Sequence, residues 1–155
     1  MNTYEKLQDE ACKDGIEVVD YPFESERIKG LCCDGTIAIR DNIATTTEKA
    51  CVLAEELGHH YTSVGNIIDM DSSSNRKQER QARLWAYNKQ IGLKGLVRAY
   101  EHGCTASHEI AEYLDVTEEA LQECIEFYRD KYGEYKTVEH YIIFFIPHLA
   151  VLKKI

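Results

Sequence analysis

Basic charge, proline, closely paired cysteines and long apolar runs are all scarce in this 155-residue chain. Lys and Arg number 18 against 27 Asp and Glu, a net charge of −9 with His neutral. Such a surface repels phosphate backbones, which argues against a general nucleic-acid binder. The longest wholly apolar run, Tyr141 to Ile146, has six residues, far below the ~20 that a membrane-spanning helix needs. The first residues do not place an apolar stretch after a basic one, so no secretory signal is expected. The six cysteines (12, 32, 33, 51, 104 and 124) form no Cys-x-x-Cys pair, which disfavours a structural zinc ribbon. Free thiols in a reducing compartment are expected instead, with Cys51 and Cys124 as small core residues on helix faces. Only two prolines occur, Pro22 and Pro147, and neither an internal repeat nor a low-complexity tract is present.

What remains is enough for a real core: 44% of residues are apolar and 29% charged, the mixture of one ordinary domain or a small domain with an appendage. Residues 3 to 14 read as a short amphipathic helix ended by Gly15, and 16 to 19 as a short strand. Leu31-Cys32-Cys33 and Thr36-Ile37-Ala38-Ile39 flank Asp34-Gly35, a strong two-residue hairpin signal. Thr45 followed by Glu48 is a capping-box pattern that opens a helix running to about Tyr61. Residues 62 to 75 read as a loop, most flexible over Asp71 to Asn75. A second long helix is expected from about Arg76 to Gln90, then helices near 93–102, 106–113 and 117–131, the last capped by Thr117 and closed by Gly133. Tyr141 to Ile146 reads as a terminal strand, either buried or a partner-facing edge. The fold class expected is α+β and helix-rich, with a boundary between residues 1–92 and 93–155.

The chemistry concentrates in Ala54-Glu55-Glu56-Leu57-Gly58-His59-His60. Residues four apart share a helix face, so Glu55 aligns with His59 and Glu56 with His60. The helix motif His-Glu-x-x-His of zinc peptidases uses this geometry, its first and fifth residues binding metal and its second acting as general base. In that frame Glu56 is the base, His59 the second ligand, and Glu55 stands at the first ligand position. A carboxylate is an accepted zinc ligand. Glu79, 20 residues after His59, is the third ligand if the second helix folds back antiparallel, with Ala82, Trp85 and Ala86 packed on the first. The rival frame makes His60 the ligand; adjacent residues lie about 100° apart around a helix, so the two histidines do not chelate one ion together. By spacing alone, Glu-Glu and His-His also fit a solvated acidic face.

The run Lys49 to Thr62, with Glu79-Arg80-Gln81-Ala82-Arg83-Leu84-Trp85-Ala86, resembles the ImmA/IrrE family of metallopeptidases. Lys29-Gly30-Leu31, Asp34-Gly35, Ile37-Ala38-Ile39 and Ile110 to Thr117 fit the same pattern, so the likeness spans about residues 4 to 146. The resemblance implies a zincin-like fold for residues 1–92, a cytoplasmic location, and regulated zinc-dependent cleavage of a repressor in phages or mobile elements of bacteria. It matches Glu56 to the general base and His59 and Glu79 to metal ligands. Glu55 departs from the pattern, which has His there; two carboxylates formally cancel the charge of Zn²⁺, so the bound water would be less acidified. By the same likeness, the strand Ile37 to Ile39 would be the edge that aligns an extended peptide. Tyr61 and His102 are candidate helpers for the oxyanion.

Elsewhere the plainer readings prevail. His108-Glu109-Ile110-Ala111-Glu112 reads as a helix with a core face rather than a second metal motif. The cadence from Ile110 to Thr117 resembles a helix-turn-helix pair, but the following helix opens Glu118-Glu119 where a DNA reader needs basic residues, so a packing or substrate-docking unit is expected. Arg76, Lys77, Arg80 and Arg83 read as a solvated basic face. The expected partner is a protein substrate, with neither nucleic acid nor membrane. The alternative is a catalytically silent module that holds a regulator without cutting it.

Overall fold

Asn2 starts the first helix, α1 (Thr3–Lys13), by a reciprocal cap: its side chain accepts from the Glu5 N–H while Glu5 accepts from the Asn2 N–H, which satisfies two otherwise unpaired donors. The helix buries Tyr4, Leu7 and Ala11 and stops before Gly15, whose φ of +76° suits glycine. The computed structural model describes residues 1–63 and 72–155, apart from the side chains of 72–74. Most of the loop expected over 62–75 therefore lies outside the described residues.

Strands β1 (Glu17–Tyr21), β2 (Gly30–Cys33) and β3 (Thr36–Arg40) form one sheet in the order β1-β3-β2. The hairpin turns at Asp34 and Gly35, with φ of +48° and +78°, and pairs Leu31 with Ala38. The sheet does not leave Ile37 to Ile39 on an edge, as expected for peptide alignment. The strand holding Ile37 to Ile39 is central, because β1 pairs with it in parallel, Val18 opposite Ile37. Ile37 and Ile39 are fully buried, as the middle of a sheet covered by a helix requires, and the edges fall to β1 and β2.

Thr45 caps α2 (Thr46–Thr62) by accepting from the Glu48 N–H. Glu48 turns its carboxylate to Lys29 at 2.9 Å. The helix lays Ala50, Leu53, Ala54 and Leu57 on the sheet and α1. A leucine buried as completely as Leu53 contributes about 1.5–3 kcal/mol relative to exposure. The next helix, α3 (Ser72–Gln90), starts at Ser72 rather than near Arg76; serine is compatible with a first turn even though its composition reads as loop.

Contacts divide the chain into two compact units, Met1–Ala86 and Tyr87–Ile155, the division falling within α3. In the second unit, α4 (Gly92–Glu101), α5 (Ser107–Leu114) and α6 (Glu118–Tyr132) follow closely the expected helices. Asp115 ends α5 in the left-handed region, and Thr117 caps α6. Tyr128 is fully buried and donates its hydroxyl to Asn88 at 2.6 Å. A second sheet, β4 (Tyr135–Val138), β5 (Tyr141–Phe144) and β6 (Ala150–Lys153), has β5 in the middle. The apolar run is thus a central strand, with Ile143 and Phe145 buried. One neighbour, β4, was hidden in sequence: it is largely exposed, and the Glu139-His140 turn that joins it to β5 carries no Asn-Gly-like signal. No helix among the described residues is long and apolar enough to cross a membrane.

Candidate metal centre

Glycine at position 58 makes the centre geometrically feasible. A Cβ there would lie 2.2 Å from the Ala82 carbonyl oxygen, far inside contact distance, so α3 passes backbone-close over α2 at this point. Ala82, itself fully buried, keeps the approach tight from the other side. Glu79 lies one turn before Ala82 on α3, and His59 directly follows Gly58. The close crossing brings them together: His59 Nε2 is 3.1 Å from Glu79 Oε2. Glu55, one turn before His59, reaches the same place and hydrogen-bonds to Glu79. Glu55, His59 and Glu79 each offer one ligand atom, and these atoms lie within 4.8 Å of one another. Among the described residues no other group of three His, Cys, Asp or Glu side chains converges in this way.

Arg83 belongs to this cluster, contrary to its reading as part of a solvated basic face. Its Nε is 3.2 Å from Glu79 Oε1 and 3.5 Å from Glu55 Oε1. The signal was available in the i, i+4 spacing of Glu79 and Arg83, but the contact with Glu55 crosses between helices and no local pattern contains it. Glu56 is partly buried and packs under the sheet edge; a Cβ on Gly30 of β2 would stand 2.9 Å from Glu56 Cγ and from Val52 Cγ1. Gly30 therefore makes room for the Glu56 side chain. Cys32, on the same strand, has its thiol pushed up to about 11 by burial and by the Glu56 charge, so it is neutral beside the carboxylate.

The remaining sequence candidates are engaged elsewhere. His60 packs edge-on against Tyr61 and is absent from the convergent group. Tyr61 donates its hydroxyl to Asp14 and stacks on Trp85 at 5.1 Å; burial and Asp14 push its phenol up to about 12. His102 stacks on Tyr113 within the second unit. Glu109 is a helix cap, accepting from the Ala106 N–H and the Thr105 hydroxyl.

Electrostatics describe a site prepared for a cation. The hydrogen bond from His59, with help from Glu55 and Arg83, holds the Glu79 carboxyl down to about 2. Burial, and then donation to Glu79, pushes Glu55 up to about 7. The His59 imidazolium is favoured by its bond to Glu79, and burial raises Glu56. The protein on its own thus favours a proton on His59 and, near neutral pH, keeps one partly on Glu55, both aimed at Glu79. Metal ligands must shed such protons when an ion binds. One imidazole nitrogen and two carboxylate oxygens suit zinc, with bonds of about 2.0–2.2 Å, and modest closing of the group would accommodate them.

Residues 11–126 match the family model of the IrrE N-terminal-like domain, a peptidase family. The chain belongs to this family. It is an ImmA/IrrE-family metallopeptidase domain; that membership implies a protein substrate and, together with the convergent His/Glu/Glu group, points to a metal ion. No curated protein and no solved structure shows significant similarity to the chain.

Proposed function

We propose that this ImmA/IrrE-family domain is a zinc-dependent endopeptidase, acting in the cytoplasm on a repressor of a phage or mobile element. The observation that carries the reading is the meeting of Glu55, His59 and Glu79 from two helices, with Glu56 beside them on α2 under Gly30. The repressor rests on family likeness alone. Glu55, His59 and Glu79 would hold the ion. A zinc ion held there would supply a Lewis acid for the scissile carbonyl and for water.

Glu56 is the proton carrier. It takes one proton from the attacking water as the water oxygen bonds to the carbonyl carbon. It returns that proton to the amide nitrogen as the carbon–nitrogen bond breaks. Burial favours its protonated form, which helps it hold the proton between the two events. An extended substrate would add to the sheet along β2, the edge next to Glu56, in place of the central β3. The zincin-like core would be residues 1–92, and residues 93–155 a helical docking unit.

The experiment maps new protein N-termini in cells that express the wild type or Glu56→Gln. Cleaved termini present with the wild type and missing with the variant are the expected result. Identical termini in both, from protein that carries zinc, would reject the peptidase reading.

A second reading draws on Arg83. Arg83 faces Glu55 and Glu79, and His59 faces Glu79, so both carboxylates have partners without an ion. On this view the domain binds a regulator and does not cut it. Zinc-independent binding to an intact partner distinguishes it.

A further inference from the structure

Two ionised carboxylates side by side in a partly buried site repel each other unless they share a proton or a cation lies close. Arg83 supplies one. Its Nε faces Oε1 of Glu79 at 3.2 Å and Oε1 of Glu55 at 3.5 Å. The other oxygen of Glu79, Oε2, faces His59. The arginine therefore engages the side of Glu79 turned away from the imidazole and leaves the inner oxygen beside His59. Carboxylates that bind metals are commonly held in this way by outer hydrogen-bond partners, and loss of such a partner costs about 10–100-fold in metal affinity.

We infer that Arg83 is a positioning residue for the metal centre, holding Glu55 and Glu79 side by side and restoring the positive charge that a carboxylate at position 55 removes. The inference rests on the proposed metal site. A zinc ion with two carboxylates and one neutral imidazole has no net charge, and the guanidinium brings the assembly back to one positive charge. That is the charge the centre would have with His at position 55. A more positive surrounding acidifies bound water more strongly. Glu55 and Arg83 act as a pair: a carboxylate ligand on α2 and its compensating cation on α3. Lysine is not an equivalent replacement, since it lacks the planar geometry with which arginine meets carboxylates.

The test is Zn²⁺ affinity, measured by competition with a chromophoric chelator, and it needs no substrate. The proteins are the wild type, Arg83→Met, Glu55→His and the double variant. In the wild-type background Arg83→Met should weaken Zn²⁺ binding by about 10–100-fold. In the Glu55→His background the same change should cost clearly less, because only the contact with Glu79 remains to be lost. Arg83→Lys should lose less than Arg83→Met. Equal losses in both backgrounds would show that Arg83 does not act as the partner of Glu55 and overturn the inference, as would unchanged or tighter binding in Arg83→Met. Thermal unfolding of the zinc-free proteins identifies a folding defect, and Arg83→Gln then takes the place of Arg83→Met. Failure of the wild type itself to bind Zn²⁺ would reject the metal site, a result read before any Arg83 variant is compared.

Discussion

His59 Nε2 and Glu79 Oε2 face each other at 3.1 Å across two helices. The contact ties the end of α2 to α3 and fixes where an ion would lie. It exists because position 58 has no side chain. Fold and chemistry therefore depend on the same crossing, and substitutions near it should separate the two.

Gly58→Ala places a methyl group 2.2 Å from a backbone oxygen, which a rotamer change cannot relieve. The expected cost is about 1–3 kcal/mol of stability, the usual range for overpacking. Zinc affinity should fall more than stability does, because Glu79 is displaced from His59. Urea unfolding and zinc titration of the same variant check both effects.

Thr45→Ala gives the opposite profile. It removes the cap on the Glu48 N–H and should cost about 1 kcal/mol. Zinc affinity should not change, since the cap lies more than two turns before Glu55. A stability loss accompanied by a large affinity loss would mean that α2 is not the rigid platform described above.

Proton and metal compete at Glu55. Its folded-state value of about 7 exceeds the ordinary 4.5, so its contribution to the metal-free protein is complete below about pH 4.5 and is lost as pH rises through about 7. Zinc needs the ionised form, so thermal stabilisation by zinc should grow from about pH 6 to 8, with proton release on binding. Glu79 has the reverse sign: held down to about 2, it contributes above about pH 4.5 and is lost as pH falls toward 2. Glu79→Gln should flatten that acid limb of the metal-free protein. Melting temperatures with and without zinc across this range test both limbs; a zinc effect independent of pH would contradict the shared-proton description.

Much of this was legible in the sequence, and the limits have a common cause. Local signals succeeded. Asp34-Gly35 marked its hairpin, Thr45 and Thr117 marked helix starts, and the four-residue spacing aligned Glu55 with His59. Non-local pairings were out of reach. That β1 inserts beside β3 and makes it central depends on strands 19 residues apart in register, Glu17 opposite Thr36. Arg83 looked solvated because its contact with Glu55 is made only when the helices cross at Gly58. The strand β4 was missed because an exposed polar edge has no alternation to detect.

Glu56→Gln keeps the size of the side chain and removes its basicity. Cleavage should drop by about 10²–10⁴-fold, the contribution of a positioned general base, while zinc content is retained. Loss of both together would place Glu56 among the ligands instead.

The most direct measurement is the metal content of protein purified without chelator, for the wild type beside His59→Ala and Glu79→Ala. Near-stoichiometric zinc in the wild type and little in either variant is the expected result. A wild type that carries no metal, even after zinc is supplied, would contradict the metal centre and leave the Glu55, His59, Glu79 and Arg83 cluster as an ion-pair network.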